Sequence, residues 1–499
     1  MTPSRRDFLA TGGAAVAAAS GWPVFLPRRA SHDLVIRAGT LFDGTGRPGF
    51  AGDLGITGGR IAAMGTGIGK GSEEIDARGQ AVCPGFIDMH SHGDGGLGAD
   101  PRGESMVRQG ITTIVAGQDG GSRATGAPDG SFTEWFAGIA RLAPGVNVAS
   151  MVGLGTIRGA VVGDDDRPAT AEELARMTAL VEQALAQGAC GASSGLEYTP
   201  GAFASLDELI ALARPLAARR LPYATHMRNE DDRLLDAIDE SLAVARGAGC
   251  PLQISHLKTQ GPRNWGKLDD VFARIDGARR DGVDVTFDRY PYLAYSTGLT
   301  NLFPVWSRDG GTEAFLARLG DSATASRIRQ DVLAKVELIG GWDNVLITSV
   351  RAEADRAAEG RRLGSHAAAL GSDPYELAVA MLGRSEGSVG MVGFAMSEAN
   401  LERILAHPQA MVCTDGGGFA VDGPTRRGSP HPRGIGSFPR VLGRYVRERG
   451  VLTLAEAIRR MTALPASRIR LTDRGRLAPG LAADVVVFDP ETIADRATF

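Results

Sequence analysis

The chain has 499 residues, a formal net charge of −4 and an apolar content of 43%. This length exceeds one small domain and suits a barrel enzyme with an accessory module. The small net charge argues against nucleic acid or an anionic membrane as a partner. With 68 glycines, the composition is that of a soluble, loop-rich α/β protein.

The first 30 residues are predicted to be a separate export signal. Arg5 and Arg6 precede a small-residue apolar stretch, residues 10–20. This combination resembles a twin-arginine signal, with a frayed N-terminal helix as the alternative. Such export predicts a periplasmic or secreted protein. No later segment has the roughly 18 uninterrupted apolar residues that span a bilayer, so we expect no stable membrane association after signal removal.

Short strands are predicted at both ends of the remaining chain. Alternating apolar and polar residues between Gly and Asp turns occur in HDLVIRAGTLFDGTG, GDLGITGGRIAAMG and EEIDARGQAV. This pattern predicts short antiparallel strands. The segment RGRLAPGLAADVVVFDP repeats it near the C-terminus. We therefore expect a small β domain built from residues 31–83 and 466–499.

Between these ends, in residues 84–465, strand-like segments alternate with amphipathic stretches rich in Ala, Leu and Arg. The strand-like segments are AVCPGFIDM, TTIVAG, VNVASMVGL, GACGASSGL, PYATHM, PLQISHL, VDVTFDRY and AMVCTDG. This βαβα alternation predicts an α/β fold with a parallel sheet, and about eight strands close a TIM-like (β/α)8 barrel. The long interval before the last segment predicts a subdomain inserted at about residues 296–409, over the barrel mouth.

Residues suited to metal binding fall at the C-terminal ends of these predicted strands. They are His90, His92, Asp119, His226, His256 and Asp415. In a barrel these ends meet at one mouth, where active sites lie. Histidine and carboxylate ligands suit zinc, so the set predicts a one-metal or two-metal hydrolytic site. Taken singly, a His-x-His pair also fits ordinary structural histidines, and Asp119 before Gly120 also fits a simple turn.

The other conspicuous residues are predicted to be structural. The cysteines lie in or beside apolar segments without C-x-x-C spacing, which predicts buried thiols without a disulfide framework for Cys83, Cys190, Cys250 and Cys413. The histidines outside every motif are predicted to lie on the surface; they are His32, His366 and His407. Supporting roles are predicted for three acids, Glu197, Glu230 and Glu398.

Taken together, the motifs resemble the N-acyl-D-amino-acid deacylases, or D-aminoacylases, of the amidohydrolase superfamily. The similar segments are PGFIDMHSH, GITTIVAG, GASSGLEYTPG, YATHMRNE, ISHLKTQGPRNWG, FDRYPY, MSEAN, HPRGIGSFPRVLG and ADVVVFDP. They span nearly the whole mature chain. The resemblance implies hydrolysis of the amide bond of a small N-acyl-D-amino acid to a carboxylate and a free D-amino acid, with one or two Zn²⁺ ions per subunit.

The resemblance also implies roles for individual residues. His226 and His256 would be ligands of a tightly held zinc ion. His90 and His92 would belong to a second, weaker site, and Asp415 would be the catalytic carboxylate. As general base and acid, Asp415 would take a proton from water and pass it to the leaving nitrogen.

A second set of residues is implied to hold the α-carboxylate of the substrate. Its members are Lys258, Tyr290, Ser296 and Arg433. The guanidinium of arginine can donate two parallel hydrogen bonds to a carboxylate, and the ammonium of lysine supplies a compact positive charge. Lys258 and Arg433 therefore favour a substrate with a free carboxylate beside the scissile bond.

This chain departs from the family pattern in two places. Family members carry a cysteine ligand after strand two, whereas this turn reads Gly117-Gln118-Asp119-Gly120. Asp119 would supply a harder oxygen ligand that can bridge two metals, which favours a binuclear centre. No carbamylated lysine is available as a bridge, because strand four ends in Ser193-Ser194-Gly195. The family usually adds β structure after ADRATF, so we expect the small β domain to be incomplete at Phe499.

Two alternative functions stay open at this point. A related amidohydrolase would act on dipeptides or cyclic amides. A non-catalytic, metal-holding periplasmic binding protein is the other alternative. Asp415 argues against the latter, because binding alone needs no proton shuttle.

Overall fold

A computed structural model describes residues 30–124 and 131–499, and the predicted export signal lies outside the described residues. The strands, in chain order, are β1 (His32–Leu41), β2 (Phe50–Thr57), β3 (Arg60–Gly65), β4 (Gly71–Asp76), β5 (Ala81–Pro84), β6 (Phe86–Asp88), β7 (Ile111–Ala116), β8 (Asn147–Ser150), β9 (Val152–Gly153), β10 (Ala192–Gly195), β11 (Tyr223–His226), β12 (Leu252–Ile254), β13 (Val285–Arg289), β14 (Ala294–Gly298), β15 (Val345–Val350), β16 (Val389–Phe394), β17 (Ala410–Val412) and β18 (Val485–Phe488).

Helices follow most of the strands between β6 and the C-terminal region. The α-helices are Asp94–Leu97, Glu104–Val107, Phe132–Leu142, Leu154–Val161, Ala171–Ala186, Leu206–Arg219, Leu234–Ala248, Leu268–Arg280, Gly311–Gly320, Ser322–Leu338, Leu363–Ala369, Pro374–Arg384, Glu398–Ala406, Arg433–Arg440, Leu454–Met461 and Ala463–Arg468. A π-helix, Val441–Glu448, continues one of them.

The predicted (β/α)8 architecture is confirmed. Parallel ladders join β6, β7 and β8, and a second parallel sheet has the order β17-β13-β12-β11-β10-β9. The strands β8 and β9 are two parts of the predicted third strand. Between β17 and β6 the described strands form no ladder. Backbone hydrogen bonds just beyond their ends join them instead, from Asp415 N to His90 O at 2.8 Å and from His92 N to Gly416 O at 2.9 Å.

Local sequence signals explain the barrel elements. Every residue of β10 and β11 is buried, as expected for parallel strands covered on both faces. The helix Ala171–Ala186 starts at a capping box: Thr170 Oγ1 accepts from Glu173 N at 3.2 Å, and Glu173 Oε2 accepts from Thr170 N at 2.8 Å. Its buried face carries Met177 and Val181. An apolar stripe of this kind packs the helix against the sheet.

Strands from both ends of the chain form the small sheet, whose order is β18-β5-β1-β2-β3, with β4 beside β1. The expectation that all these N-terminal strands are antiparallel was wrong, because β4 and β5 both pair parallel to β1. They run one after the other along the edge of β1 that β2 leaves free. The antiparallel pairs are β1 with β2, β2 with β3 and β18 with β5.

The long segment between β13 and β17 forms a separate layer beside the mouth. Its antiparallel sheet has the order β14-β16-β15. Helices including Ser322–Leu338 and Pro374–Arg384 pack on this sheet, around a core that contains Phe303, Phe315 and Met391. The strand β14 thereby forms one wall of the cavity described below.

The structure also tests the predictions made for the cysteines and for His407. All four cysteines are free; three are buried, and Cys190 is partly buried. His407 was expected on the surface, but its side chain is only 11% exposed and its ring lies 4.8 Å from that of Phe272. Apolar packing of the imidazole explains the difference. None of the helices in the described ranges is long and apolar enough to cross a bilayer.

Candidate metal centre and active site

The backbone aims three of the predicted ligands into the mouth through an unusual conformation. Asp119, His256 and Asp415 have positive φ angles of 52°, 35° and 48°. Left-handed backbone is costly for non-glycine residues and clusters at functional sites. Each of these residues lies two or three positions after the end of a barrel strand. The turns thus redirect side chains that a continuing strand would point elsewhere.

The six predicted ligand residues converge in two groups that share Asp119. In one group, His90, His92, Asp119 and Asp415 have donor atoms that lie within 4.8 Å of one another. In the other, Asp119 meets His226 and His256 within the same limit. The two carboxylate oxygens of Asp119 face different groups. Its Oδ2 lies 3.3 Å from both His90 Nε2 and His92 Nε2, and its Oδ1 lies 3.5 Å from His256 Nε2.

The donor atoms are arranged to bind cations and do not satisfy one another by hydrogen bonds. Asp119 Oδ1 is buried and has no hydrogen-bond partner among the described residues. His226 Nδ1 and His256 Nε2 face each other at 2.9 Å, although imidazole lone pairs at that distance repel unless a proton or a metal lies between them. Two carboxylates with four imidazoles are a suitable donor set for zinc. The residues present therefore fit one ion or a pair bridged by Asp119.

The charges in the site keep its carboxylates ionised. Burial by itself raises the pKa of Asp119, but His90 and His256 outweigh it and hold that pKa well below its usual value. Conversely, burial lowers the pKa of His92, whereas its contacts with Asp119 and Asp415 raise it to about 9. Acids and histidines thus stabilise each other's charged forms. Metal binding replaces the protons on the histidines, since a ligand imidazole must be neutral.

Arg433 contacts the predicted catalytic acid. Its Nη1 lies 2.6 Å from Asp415 Oδ2, and its Nη2 donates to the backbone oxygen of Ser296 at 3.1 Å. Burial raises the pKa of Asp415, but Arg433 and the nearby histidines reverse this and hold it well below its usual value. The structure therefore places Arg433 between Asp415 and β14, with its guanidinium also lining the cavity.

Lys258 is buried in an internal ion pair. Its Nζ donates to Glu230 Oε1 at 2.5 Å and lies 2.7 Å from His256 Nδ1. Glu230 Oε2 in turn accepts from Gln260 Nε2 at 2.7 Å. Lys258 also lines the cavity, so a substrate carboxylate there would share the ammonium with Glu230. Glu230, for which a supporting role was predicted, thus lies beside both Lys258 and His256.

The mouth encloses a cavity of about 530 Å³ that both predicted sets of residues line. Tyr290 is fully buried, and its hydroxyl has no hydrogen-bond partner in the described part of the chain. The hydroxyl of Tyr295, on β14, is also buried and unpaired within those residues. Ser296 follows on the same strand and lines the cavity as well. Buried hydroxyls without partners are suited to receive a polar ligand.

Three acidic residues and one tyrosine contact the predicted ligands or their neighbours. Asp288 accepts from His256 N at 2.8 Å, and its Oδ1 lies 3.5 Å from His90 Nδ1. Glu197 Oε2 lies 3.5 Å from His226 Nε2, whose ring lies 4.7 Å from that of Tyr198. Asp88 bonds to Thr414, next to Asp415. Asp288, Asp88 and Tyr198 were not among the predicted site residues. For Asp288 a signal existed, because it too lies near the C-terminal end of a barrel strand.

A parallel barrel that gathers histidines and aspartates from strands one, two, five, six and eight at its mouth defines the class of amidohydrolases. The amidohydrolase family profile matches residues 73–499 of this chain. The N-acyl-D-glutamate deacylase of Alcaligenes xylosoxydans xylosoxydans is 38% identical over 484 residues, covering 94% of this chain and 89% of that protein.

Solved structures agree with this match. The crystal structure of N-acyl-D-glutamate deacylase from Bordetella bronchiseptica, complexed with zinc and a phosphonate mimic of the tetrahedral intermediate, has a TM-score of 0.80 and 38% identity over 94% of this chain and 92% of that chain. A D-aminoacylase structure, from work on its binuclear metal center, has a TM-score of 0.78 and 35% identity with the same coverage. This chain belongs to the N-acyl-D-amino-acid deacylase family of amidohydrolases.

Proposed function

We propose that this protein is a zinc-dependent amidohydrolase that cleaves N-acyl-D-amino acids to a carboxylate and a free D-amino acid. The observation that carries the proposal is the convergence of two groups of donor atoms on the two oxygens of Asp119, in the cavity at the barrel mouth. The relatives that match nearly the whole chain are an N-acyl-D-glutamate deacylase, a D-aminoacylase and an N-acyl-D-aspartate deacylase. The substrate is a small molecule.

Six residues would hold the metal. His226, His256 and Asp119 Oδ1 would hold the tighter ion. His90, His92, Asp415 and Asp119 Oδ2 would hold the other. When bound, zinc lowers the pKa of water to about 7 and polarises the amide carbonyl.

Asp415 is the proton carrier of the proposed reaction. Its Oδ1 faces the histidines and its Oδ2 is held by Arg433, so the carboxylate cannot rotate freely. It takes a proton from the attacking water and delivers it to the leaving nitrogen. Asp415 is only 4% exposed although it lines the cavity, which limits the access of bulk water to the carboxyl group.

Lys258, Tyr290 and Arg433 orient the substrate. The unpaired hydroxyl of Tyr290 donates to the α-carboxylate, and the two cations attract it while each is shared with an internal acid, Glu230 or Asp415. Ser296, on β14, closes the same wall of the cavity. With the α-carboxylate held by these residues and the scissile amide held at the metal centre, the side chains of the two enantiomers point in different directions, so that the cavity wall can admit one and exclude the other.

A substrate panel tests the function directly. Zinc-loaded protein would be assayed with N-acetyl-D-amino acids, their L enantiomers, dipeptides and hydantoins. We expect the D series to be hydrolysed, with turnover lost on dialysis against a chelator and restored by Zn²⁺. Preference for dipeptides or cyclic amides would contradict the proposed substrate. Tight zinc binding without turnover on any amide would favour the binding-protein alternative.

We also propose that the protein is exported. The support is the Arg5-Arg6 pair ahead of the small-residue apolar stretch of residues 10–20. Twin-arginine export carries prefolded proteins, which suits an enzyme that acquires its metal before it crosses the membrane. The location would be the periplasm or the medium.

A further inference from the structure

The active-site cavity has no aliphatic side chain in its lining, as far as the described residues are concerned. Apart from glycines, every residue that lines this cavity of about 530 Å³ carries a polar or charged side chain. Pockets for small molecules are usually lined mostly by apolar side chains, against which an apolar group of the ligand is buried. This cavity instead offers many hydrogen-bonding partners, which suits a polar substrate.

Part of this lining belongs neither to the donor groups nor to the proposed α-carboxylate set. On one side of the cavity it forms a cluster, the β14 corner, whose members are Glu197, Tyr198, Tyr295, Thr297 and Asn301. Tyr295 and Thr297 flank Ser296 on β14. Asn301 lies in the 3-10 helix that directly follows this strand. A substrate whose α-carboxylate lies at Ser296 and Lys258 therefore has the β14 corner beside its α-carbon.

Glu197 is held in place through its backbone and through one of its two carboxylate oxygens. Its backbone oxygen accepts from Arg308 Nη2 at 2.9 Å. Its Oε2 accepts from Asn301 Nδ2 at 3.0 Å and lies 3.5 Å from His226 Nε2. The other oxygen, Oε1, has no hydrogen-bond partner within residues 30–124 and 131–499. Glu197 therefore brings an unpaired acceptor to the corner, and such an acceptor is suited to a donor on a ligand.

The same corner also contains hydrogen-bond donors. The hydroxyl of Tyr295 is buried and unpaired in the described part of the chain. Thr297 Oγ1 donates to Tyr198 OH at 3.2 Å, which leaves the hydrogen of the Tyr198 hydroxyl for another acceptor. A ligand group that both donates and accepts can satisfy Glu197 and these hydroxyls together. A primary carboxamide is such a group, because its nitrogen carries two hydrogens and its oxygen has two lone pairs.

The charges around the corner favour a neutral group over an ion. Burial lowers the pKa of Arg308, and the negative charge of Glu197 partly offsets this effect. Burial also lowers the pKa of Lys335, but Glu197 and Asp231 outweigh it and hold that pKa above its usual value. Both cations line a neighbouring cavity of about 210 Å³ instead of the active-site cavity. They compensate the charge of Glu197 from outside the active site, so a cationic side chain is not needed there, and an anionic one would be repelled by Glu197.

We propose that the β14 corner binds the side chain of the D-amino acid and selects a carboxamide, as in N-acyl-D-glutamine or N-acyl-D-asparagine. This inference rests on the proposed function and specifies its substrate class. The carboxamide nitrogen donates to Glu197 Oε1, and the carboxamide oxygen accepts from the Tyr295 hydroxyl. A carboxylate of the same shape would meet the charge of Glu197. An alkyl group of the same shape would leave both partners unpaired, and a buried polar group without a partner is costly.

Two series of substrates with the same shape test this selection in the zinc-loaded protein. One compares the N-acetyl derivatives of D-glutamine, D-glutamate and D-homoleucine, and the other compares those of D-asparagine, D-aspartate and D-leucine. In at least one series we expect kcat/KM to favour the carboxamide by about tenfold or more over both other members, as for one hydrogen bond to a charged group. N-acetyl-D-lysine supplies a cationic side chain and should be a poorer substrate than that carboxamide.

Replacing Tyr295 with Phe tests the donor of the corner. The change removes one hydroxyl, and Tyr295 lies outside both donor groups of the candidate metal centre. The ratio of kcat/KM between the carboxamide and the alkyl substrate should fall by about threefold or more. Tyr375→Phe is the matched control, because Tyr375 is buried in the same apolar core but is not part of the cavity lining. It should keep the wild-type ratio.

Replacing Glu197 with Gln tests the charge of the corner. The carboxylate substrate should no longer be repelled, so the ratio between the carboxamide and the carboxylate should fall by about threefold or more. Glu197 also lies near His226, and a ratio within one variant cancels any effect that is common to all substrates. Asp94→Asn removes a carboxylate elsewhere in the same lining and should keep the wild-type ratio. Metal analysis and near-UV circular dichroism check each variant, and if Glu197→Gln loses its zinc, Tyr295→Phe decides.

A carboxamide preference of less than tenfold in both series would overturn the inference, as would a preference that Tyr295→Phe leaves unchanged. Hydrolysis of the other D substrates in that case leaves the proposed function intact. If no amide is hydrolysed, the proposed function fails, and calorimetric binding of free D-glutamine, D-asparagine, D-homoleucine and D-leucine to the zinc-loaded protein decides the inference alone. Tighter binding of a carboxamide, reduced in Tyr295→Phe but not in Tyr375→Phe, supports it. Equal or weaker binding of both carboxamides overturns it.

Discussion

Arg433 Nη1 lies 2.6 Å from Asp415 Oδ2, and both side chains are buried at the barrel mouth. The other oxygen of Asp415, Oδ1, lies 3.5 Å from His90 Nε2 and 3.3 Å from His92 Nε2. Each oxygen of this carboxylate therefore has a different neighbour. The arginine fixes the orientation in which Oδ1 faces the donor atoms of the candidate metal centre.

Replacing Arg433 with Met should destabilise the metal-free protein. A buried carboxylate would lose its cationic partner, at a cost of about 3 kcal/mol in the free energy of unfolding. Zinc should recover part of this loss, because it supplies positive charge to the same carboxylate. Urea unfolding with and without Zn²⁺ measures both effects. Arg444→Met, which breaks the more exposed pair with Glu398, should cost less than about 1 kcal/mol. Equal stability of Arg433→Met and wild type would contradict the prediction.

Replacing Asp415 with Asn should separate catalysis from tight metal binding. The amide keeps the shape and tolerates the left-handed backbone, but it cannot accept a proton. Turnover should fall by about 100-fold or more, the usual effect of a positioned acid or base. Zinc at the site of His226 and His256 should stay bound, as measured by metal analysis. Near-normal turnover would remove the catalytic role, and complete loss of metal would make Asp415 chiefly a ligand.

Replacing Asp119 with Asn should weaken metal binding at both positions. Asn also tolerates a φ of 52°, so the turn should survive. We expect the zinc content to fall to one ion or less per chain. The remaining affinity should fall by more than about 100-fold, since even a residue that only supports a ligand contributes 10-fold to 100-fold. Asp94→Asn is the control, because Asp94 lines the same cavity outside both donor groups. Wild-type zinc stoichiometry and affinity in Asp119→Asn would refute the bridging role.

Removing the Asp88 carboxylate should disturb the closure of the barrel. Asp88 Oδ1 accepts from Thr414 N at 2.8 Å, and its Oδ2 accepts from Thr414 Oγ1 at 2.6 Å. Asp88→Ala leaves a buried N–H unpaired and should cost about 3 kcal/mol, with lower turnover because Asp415 follows directly. Asp88→Asn should be intermediate, and Thr414→Val should cost about 2 kcal/mol, because it removes the hydroxyl that donates to Asp88 Oδ2 and accepts from Gly416 N but keeps the bond from Thr414 N. Thermal unfolding and kcat are the measurements. If Asp88→Ala keeps the wild-type kcat, Asp415 does not depend on this contact.

Changing Arg5 and Arg6 together to Lys should retain the protein in the cytoplasm, because twin-arginine export requires the arginine pair. Fractionation of cells that express the full chain, with zymography on an N-acetyl-D-amino acid, measures the distribution. Changing Arg28 and Arg29 to Lys controls for charge-conserving substitutions elsewhere in the predicted export signal. An unchanged exported fraction in the Arg5 and Arg6 variant would refute the proposed route.

Much of the barrel follows from the sequence alone. Parallel strands such as β11 are buried on both faces, so they read as short apolar segments between amphipathic helices. The ligand candidates were found because they lie where those segments end, and the ends of parallel strands meet at one mouth. The N-terminal sheet was predicted less well. Alternation indicates that a residue belongs to a strand, but it carries no information about the direction of the strand's neighbour.

Only the tertiary structure decided which charged groups meet. Lys258 and Arg433 were predicted to face the substrate, yet each also holds an internal acid, Glu230 or Asp415. Asp88 and Thr414 are 326 residues apart in sequence and bond only because the last strand returns beside the first. The type of a residue and the position of a strand end are local properties, and the pattern of apolar and polar residues along the sequence reveals them. Pairing between distant strand ends depends on barrel closure and backbone turns at positive φ, which no local pattern specifies.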